Sequence, residues 1–183
     1  MTTLYLVRHG ETTDNVAKIM QGQRQGELTP AGQVQIGQLA DKLVATHFDA
    51  IVASDLRRAY DSAQIIASHI HLPILTTPLL RERDWGDFTG RYIPDLQGVP
   101  FPENVEKLEA LLLRARQFLD WVVQHHEGKT VVAVGHGIIN KAIQAVHYDK
   151  PMTEIPRMAN AECRVLGIGA LAINKSSLHR TSP

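Results

Sequence analysis

The sequence lacks several features that would indicate particular classes of protein. It has one cysteine, Cys163, so no disulfide can form within the chain and no cysteine-based metal cluster can be built. Nineteen Lys and Arg balance nineteen Asp and Glu, so the basic excess of a non-specific nucleic-acid binder is missing. No apolar run approaches a membrane span in length, and no charged leader precedes the first apolar run. These absences predict a cytoplasmic protein with neither a nucleic-acid nor a membrane partner.

The size and composition of the chain predict a single globular domain. Its 183 residues, 44% of them apolar, are enough to bury a sizeable core. We predict that the domain covers residues 1–174 and that residues 175–183 form a polar tail. Nothing in the sequence indicates an oligomeric state.

Short β-like runs alternate with segments of helical periodicity. This alternation predicts a three-layer α/β/α sandwich with a mainly parallel sheet. Thr29-Pro30 is typical of a helix start, because threonine is a good N-cap and proline suits the first helical turn. The predicted strands are Leu4–Val7, Ala50–Ala53, Ile74–Thr76, Thr130–Val134 and Val165–Ile173.

The longest predicted helix begins near Glu103 and ends near His126. Apolar residues recur there at three- and four-residue spacing, which places them on one face of a helix. We expect this face to pack in the core; its members are Val105, Leu108, Leu112, Ala115, Leu119 and Val122.

Reactive side chains follow the first predicted strand, which ends in Arg8, His9 and Gly10. Arg8 offers a planar set of donors suited to a phosphate, and a neutral histidine beside it is a plausible nucleophile toward phosphorus. Glycine lets the backbone approach a ligand closely. Taken alone, an Arg-His pair at a strand end is more simply explained as a structural cap, so this triplet needs support from the rest of the chain.

Polar residues also follow the second and fourth predicted strands. Ser54 to Arg58 come directly after the second strand, and His136 comes after the fourth, between Gly135 and Gly137. Ligands of open α/β sheets bind at the carboxyl ends of the strands. Packing alone would not collect polar residues at one edge of a sheet, so this pattern predicts a functional site there.

The sequence resembles the histidine phosphatase superfamily, also called the phosphoglycerate mutase-like family. Leu6 to Asn15 matches the family signature, and four further segments follow in the family's order, up to about Asn160. The resemblance implies the phosphoglycerate mutase-like fold and phosphoryl transfer without a metal or other cofactor. The four segments are Gln21-Gly22 with Leu28-Thr29 and Gly32, Ser54 to Ala59, Glu82 with Gly86 and Gly90, and Val134 to Gly137.

The resemblance also implies roles for individual residues. His9 corresponds to the nucleophile, which forms a phosphohistidine intermediate, and Arg8, Arg58 and His136 correspond to the residues that bind the phosphoryl group. The positive field of these residues should lower the pKa of His9 and keep it unprotonated. Glu82 corresponds to the general acid, which must carry a proton when the substrate is bound. The implied substrate-binding positions are Asn15, Gln21, Gly22 and Gly137.

Several of these residues have competitors nearby. Arg57 precedes Arg58 and is expected to face solvent, although Arg58 could itself be a surface ion-pair partner at the start of a helix. Asp84 and Asp87 are rival carboxylates to Glu82. The histidines at 69, 71, 125 and 126 lack metal-ligand spacing and lie at predicted helix ends, so we expect them at the surface.

One loop departs from the pattern of the family. Relatives commonly carry an aspartate after Gln21-Gly22, whereas this chain reads Gln23–Glu27 there, with Gln25 making the loop less acidic. Arg24 in this loop could contact an anionic substrate, but an exposed arginine is the simpler expectation. None of the five core positions is altered, so the departure does not argue against catalysis.

The length of the segment after Gly90 bears on the reaction. In a mutase the phosphoryl group returns to a second hydroxyl of the substrate, which requires a lid that excludes water. Here only the proline-containing stretch Arg91–Pro102 precedes the long helix, which predicts a short loop. We therefore predict a metal-independent phosphatase for a small phosphorylated metabolite. The alternatives are a cofactor-dependent phosphoglycerate mutase, a non-catalytic phospho-ligand-binding or regulatory domain, and metal-assisted hydrolysis.

Overall fold

The computed structural model describes residues 1–169, and within them a five-stranded sheet carries helices on both faces. The strands are β1 (Thr2–Arg8), β2 (Ala50–Ser54), β3 (Ile74–Thr77), β4 (Thr130–Gly135) and β5 (Cys163–Ile168). The helices are α1 (Thr13–Val16), α2 (Pro30–Leu43), α3 (Arg57–Ile70), α4 (Leu108–His125) and α5 (Gly137–Tyr148). Single 3₁₀ turns span Pro78–Leu80, Gly86–Phe88, Ile93–Leu96 and Met152–Glu154.

The sheet has the strand order β3-β2-β4-β1-β5, and each neighbouring pair is parallel except β1 with β5. The predicted α/β sandwich with a mainly parallel sheet is confirmed. The last strand begins at Cys163, two residues before the predicted start at Val165. The predicted continuation of that strand past residue 169, like the predicted tail 175–183, lies outside the described residues.

The helices form two layers, each with its own apolar core. On one face, α2 and α3 bury Ile36, Ala63 and Ile66 against the sheet. On the other face, α4 and α5 bury Phe118 and Ile143. Because both faces are covered, β2 and β4 are almost continuously apolar, as strands buried on two sides must be.

The start of α2 agrees with its sequence. The Thr29 side-chain oxygen accepts a hydrogen bond from the Gly32 N–H at 2.9 Å, and Pro30 occupies the first helical position. The predicted cap is confirmed.

The predicted start of the long helix near Glu103 is wrong, because α4 begins at Leu108. The preceding residues pack against the segment that follows Glu82. The Glu106 N–H donates to the Asp84 carbonyl at 2.8 Å, and the Asn104 side chain pairs with Asp87 at 2.9 Å. These tertiary hydrogen bonds compete with helical ones.

The apolar face of α4 also differs from the prediction, because the helix begins later than predicted. Leu108 is 44% exposed, and Val105 is buried but precedes the helix. Ala115, Leu119 and Val122 are buried as predicted, and they are joined by Leu111 and Phe118.

The expectation of a surface position is wrong for one histidine, His126, which is buried. Its carbonyl accepts from the Thr2 hydroxyl at 2.7 Å, and its ring lies edge-on to Trp121. The turn that follows α4 therefore packs against the beginning of β1.

Among the helices of residues 1–169, none is both long enough and apolar enough to cross a membrane.

Candidate active site

The central pair of strands brings two histidines together. Arg8 at the end of β1 is in register with Gly135 at the end of β4, and the His9 N–H donates to the Gly135 carbonyl at 3.1 Å. As a result the rings of His9 and His136 lie edge-to-face with their centroids 5.1 Å apart. Residues 127 positions apart in the sequence thus meet at the carboxyl edge of the sheet, as predicted from the strand ends.

The tautomer of His9 follows from its hydrogen bonds. Its Nδ1 lies 2.7 Å from the Gly10 carbonyl oxygen, which can only accept, so Nδ1 carries the proton. This leaves the lone pair on Nε2, which accepts from Arg58 Nε at 3.3 Å. A neutral imidazole with an unprotonated Nε2 is the form that can attack phosphorus.

The pKa of His9 is well below its ordinary value. Burial is the largest cause, because it disfavours the charged ring, and the positive charges of Arg58 and Arg8 add to the effect. The predicted direction of the shift is confirmed, although burial contributes more than the cations on which the prediction was based.

Arg58 is a buried cation held by the loop before α2. Its Nη2 donates to the Gly22 carbonyl at 2.8 Å, and its Nη1 donates to the carbonyls of Arg24 and Gln25. Burial lowers its pKa to about 10. Arg57, in contrast, leaves 59% of its side chain exposed and pairs with Asp61, so its predicted solvent-facing position is confirmed.

Arg8 is likewise buried, and it is only partly satisfied. Its Nη1 donates to the Met158 carbonyl at 2.7 Å, while its buried Nε has no hydrogen-bond partner among residues 1–169. Gly137 lies against it, since a Cβ atom at 137 would be 3.5 Å from the Arg8 Nε. The absence of a side chain at Gly137 therefore leaves room beside this donor.

His136 is fully buried and is not among the residues that line the pocket described below. Both of its ring nitrogens lack a partner in the part of the chain that the structure describes. Burial lowers its pKa well below the ordinary value, and the charges of Arg58 and other neighbours add to this. Buried nitrogens without partners are costly in a folded protein, and a site for a polar ligand is one explanation.

Glu82 is positioned by the beginning of α5. Its carboxyl oxygens accept from the N–H groups of Ile138 and Ile139 at 3.0–3.2 Å, and from the N–H of Arg83 at 2.9 Å. The first turn of a helix presents such unpaired donors. The rival carboxylates are engaged elsewhere: Asp84 accepts from Gly86, and Asp87 pairs with Asn104.

The predicted substrate-binding residues Asn15, Gln21 and Gly22 lie in the loops around His9 and line the same pocket. The Asn15 side-chain oxygen accepts from the Thr12 N–H at 3.1 Å, and Gln21 accepts from the Thr12 hydroxyl at 3.0 Å. Gly22 has a φ of +52°, a conformation that favours glycine. In this geometry the side-chain oxygens of Asn15 and Gln21 order the loop through Thr12.

The pocket over His9 has a volume of about 150 Å³, which is below the range of about 300–1,000 Å³ typical of sites for drug-sized ligands. Arg8, His9, Arg58 and Glu82 form part of its wall. The other lining residues are Asn15, Ile19, Met20, Gln21, Gly22, Trp85, Ile93, Ile138 and Arg157. The pocket thus combines a strongly polar end with a partly apolar wall.

Comparison with known proteins identifies the family. The family model described as the histidine phosphatase superfamily (branch 1) matches residues 4–172. The chain belongs to the histidine phosphatase superfamily. A Bacillus subtilis relative named uncharacterized phosphatase PhoE is 33% identical over 166 residues, which are 88% of this chain and 86% of that protein.

Other members of the superfamily extend the likeness. A metal-independent phosphoserine phosphatase of Arabidopsis thaliana is 31% identical over 160 residues, covering 78% of this chain and 67% of that one. The solved structure of a mycobacterial glucosyl-3-phosphoglycerate phosphatase with VO3 has a TM-score of 0.83 at 29% identity, over 90% and 92% of the two chains. Some relatives are instead named as probable phosphoglycerate mutases.

The fold of this histidine phosphatase superfamily member adds residues that the sequence reasoning missed. The Asn160 amide donates to the His9 carbonyl at 3.2 Å and to the Asn15 side-chain oxygen at 3.1 Å, which ties two loops of the site together. Arg114 on α4 donates to the carbonyls of Arg81 and Glu82 and pairs with Glu106 at 2.8 Å. The sequence contains a signal for Asn160, because the family resemblance ends near this residue. It contains none for Arg114, which lies within the periodic pattern of a long helix.

The described residues contain no group of three or more His, Cys, Asp or Glu side chains arranged to hold a metal ion.

The loop that departs from the family pattern, Gln23–Glu27, leaves Arg24 exposed, as predicted. Its side chain is 51% exposed, and it lies 3.8 Å from Asp14.

The buried histidines predict a loss of stability in mild acid. The pKa values of His9 and His136 are lowered in the folded protein, so below about pH 6.5 the unfolded chain binds protons that the native protein does not. Each histidine should then lower the free energy of unfolding by about 1.4 kcal/mol per pH unit until its native pKa is reached. Urea unfolding between pH 7.5 and 5.5, in phosphate-free buffer, measures this dependence.

Comparison with a His9→Gln variant isolates one of the two groups, because other histidines such as His126 also have lowered pKa values. The variant should show a shallower decline than the wild type. Equal slopes for the two proteins would contradict the assignment of this acid sensitivity to His9.

Proposed function

We propose that this protein is a metal-independent phosphatase that hydrolyses small phosphomonoesters through a phosphohistidine on His9. The observation that carries the proposal is the set of buried polar atoms without partners around that ring. Arg8 Nε and the ring nitrogens of His136 have no partner among residues 1–169, and they lie beside a neutral nucleophile. A tetrahedral, dianionic phosphoryl group offers acceptors for the Arg8 Nε–H and for the one N–H of a neutral His136 ring.

The first half-reaction follows from the tautomer of His9. Nε2 attacks phosphorus, the P–N bond forms as the bond from phosphorus to the ester oxygen breaks, and Glu82 gives its proton to the departing alkoxide. The ring then carries a positive charge, which its Nδ1–H shares with the Gly10 carbonyl. Arg8 and Arg58 neutralise the charge of the equatorial oxygens, the task performed by cations in phosphoryl transfer.

The hydrogen bond from Arg58 to His9 must be exchanged before the attack. In the described geometry the Arg58 Nε–H occupies the Nε2 lone pair at 3.3 Å. A phosphoryl oxygen that takes over this donor frees the lone pair and brings Arg58 onto the substrate at the same time. Binding of the phosphate and activation of the nucleophile are thereby one step.

The second half-reaction returns the enzyme to its starting state. Water attacks phosphorus as the P–N bond breaks, its proton passes to the Glu82 carboxylate, and phosphate leaves with His9 neutral again. Between Gly90 and α4 the chain forms a single 3₁₀ turn, Ile93–Leu96, and no longer helix that could act as a lid. The absence of such a lid from the described residues supports hydrolysis over transfer to a second hydroxyl.

The test is the release of phosphate from a panel of phosphorylated metabolites in the presence of EDTA, with each reaction also assayed for isomerised product. Quenching a reaction of labelled substrate in alkaline detergent should trap a phosphoenzyme that is stable in base and loses its label in acid, as a phosphoramidate requires. Isomerisation without net release would replace the proposal with a mutase. Activity lost in EDTA and restored by a metal would indicate metal-assisted hydrolysis, and phosphate-ester binding without turnover would indicate a binding domain.

A further inference from the structure

The imidazole of His9 is oriented by a single peptide group. Its Nδ1–H donates to the Gly10 carbonyl at 2.7 Å. That carbonyl belongs to the peptide that joins Gly10 to Glu11, and the N–H of the same peptide donates to the side-chain oxygen of Gln35 on α2 at 3.0 Å. Because a peptide group is planar, an anchor on its N–H also fixes the direction of its carbonyl. Gln35 therefore reaches the His9 ring through one rigid group.

The peptide needs this anchor because position 10 is occupied by glycine. A Cβ atom at residue 10 would lie 2.5 Å from the Gly32 carbonyl oxygen, so the close approach of α2 leaves no room for a side chain. Glycine allows the adjoining peptides more freedom of rotation than any other residue. The peptide before Gly10 is held separately, since its N–H donates to the Ser62 hydroxyl at 3.1 Å. The contact with Gln35 restrains the peptide after it.

The proposed mechanism makes the Gly10 carbonyl more important once a substrate is bound. In the empty site two contacts keep the proton on Nδ1: the Gly10 carbonyl, and the Arg58 Nε–H that donates to Nε2 at 3.3 Å. When a phosphoryl oxygen takes over the Arg58 donor, the Gly10 carbonyl is the one of these two that remains. The ring becomes cationic as the P–N bond forms, and a hydrogen bond from a charged donor is about twice as strong as a neutral one. The carbonyl thus stabilises the transition state more than the resting enzyme.

We propose that Gln35 is a positioning residue for the nucleophile: it fixes the peptide after Gly10, so that the Gly10 carbonyl keeps the proton on Nδ1 and Nε2 can attack. The proposal rests on the phosphatase function argued above. Gln35 is partly buried on α2 and is not among the residues that line the pocket, so contact with the substrate does not explain its place. The feature that matters is the accepting oxygen of its amide.

The test compares Gln35→Met, which keeps the length of the side chain but removes the accepting oxygen, with Gln35→Glu, which retains an oxygen that can accept. Both variants should fold, because the Glu11 carbonyl still accepts from the Thr29 N–H at 2.9 Å and keeps this loop on α2. Gln35→Met should lower kcat/KM by roughly ten-fold. Alkyl and nitrophenyl phosphates should slow equally, because the nucleophile acts on phosphorus rather than on the leaving oxygen. Gln35→Glu should recover most of the rate.

A spectroscopic measurement reports the proton itself. In protein with ¹⁵N-labelled histidine, the proton on Nδ1 of His9 is assigned by its absence from His9→Gln. In the wild type it should resonate far downfield, as a hydrogen bond of 2.7 Å to a carbonyl requires. In Gln35→Met it should move upfield and exchange faster with water, and in Gln35→Glu it should keep its place.

The matched control is Gln38→Met, the same change at an exposed glutamine one turn further along α2. It should keep the wild-type rate and the wild-type His9 signal. An unmoved signal or an unchanged kcat/KM in Gln35→Met would overturn the proposal, as would a Gln35→Glu variant that loses the signal as fully as Gln35→Met. The spectra need no turnover, which separates the two levels of the argument. A folded wild type that cleaves no ester refutes the phosphatase function, while the spectra still decide whether Gln35 holds the ring.

Discussion

Replacement of His9 by glutamine is expected to lower kcat for phosphate release by about 10⁴-fold or more, because the amide has no nucleophilic nitrogen. The trapped phosphoenzyme should disappear together with the activity. The backbone of residue 9 should hold its place, since its N–H bonds to Gly135 and its carbonyl accepts from the Asn160 side chain and the Ala161 N–H. Steady-state phosphate release and labelling quenched in alkaline detergent measure the two effects.

A matched control for this change is His47→Gln, which alters a histidine with 92% of its side chain exposed. It should keep the wild-type rate and the wild-type label. Retention of most of the activity by His9→Gln, with label still incorporated, would place the nucleophile on another residue.

Replacement of Glu82 by glutamine is expected to lower kcat for alkyl phosphates by about 10²–10⁴-fold, the usual contribution of a general acid. Nitrophenyl phosphate should be affected far less, because its phenolate leaves without needing a proton. Glutamine keeps one oxygen that can accept from Ile138 and Ile139, so the beginning of α5 should remain in place. The ratio of kcat between the two classes of ester is the measurement.

The rival carboxylate Asp84 supplies the control, because its side chain accepts from Gly86 and does not line the pocket. Asp84→Asn should leave the ratio unchanged. A Glu82→Gln variant that slows both classes of ester equally would show that Glu82 acts on binding or on the structure of the site rather than on the leaving group.

Much of the candidate site could be predicted from the sequence because its residues follow strands. An apolar run that stops at Arg8-His9-Gly10 or at Gly135-His136-Gly137 predicts where the strand ends and which side chains follow it. Parallel pairing then brings such ends to one edge of the sheet whatever their separation in the chain. The short segment after Gly90 could be recognised in the same way, since its prolines disfavour a helix.

Other features depended on contacts that no local pattern records. The start of α4 moved to Leu108 because Asn104 and Glu106 bond to the segment after Glu82. His126 looked like a polar helix end, yet tertiary packing buries it. Arg157 lines the pocket although it lies in an irregular segment, where an arginine is usually a solvated surface residue.

The position of β1 in the sheet bears on how the protein is made. This strand precedes the other described strands in the chain, yet its two neighbours are β4 and β5, the last of them. A nascent chain that has emerged only through α4 contains the proposed nucleophile with neither flanking strand available to it. Pairing over such sequence separations carries a large loop-closure cost and slows folding. A nascent chain therefore lacks the assembled pocket until β4 and β5 have been synthesised.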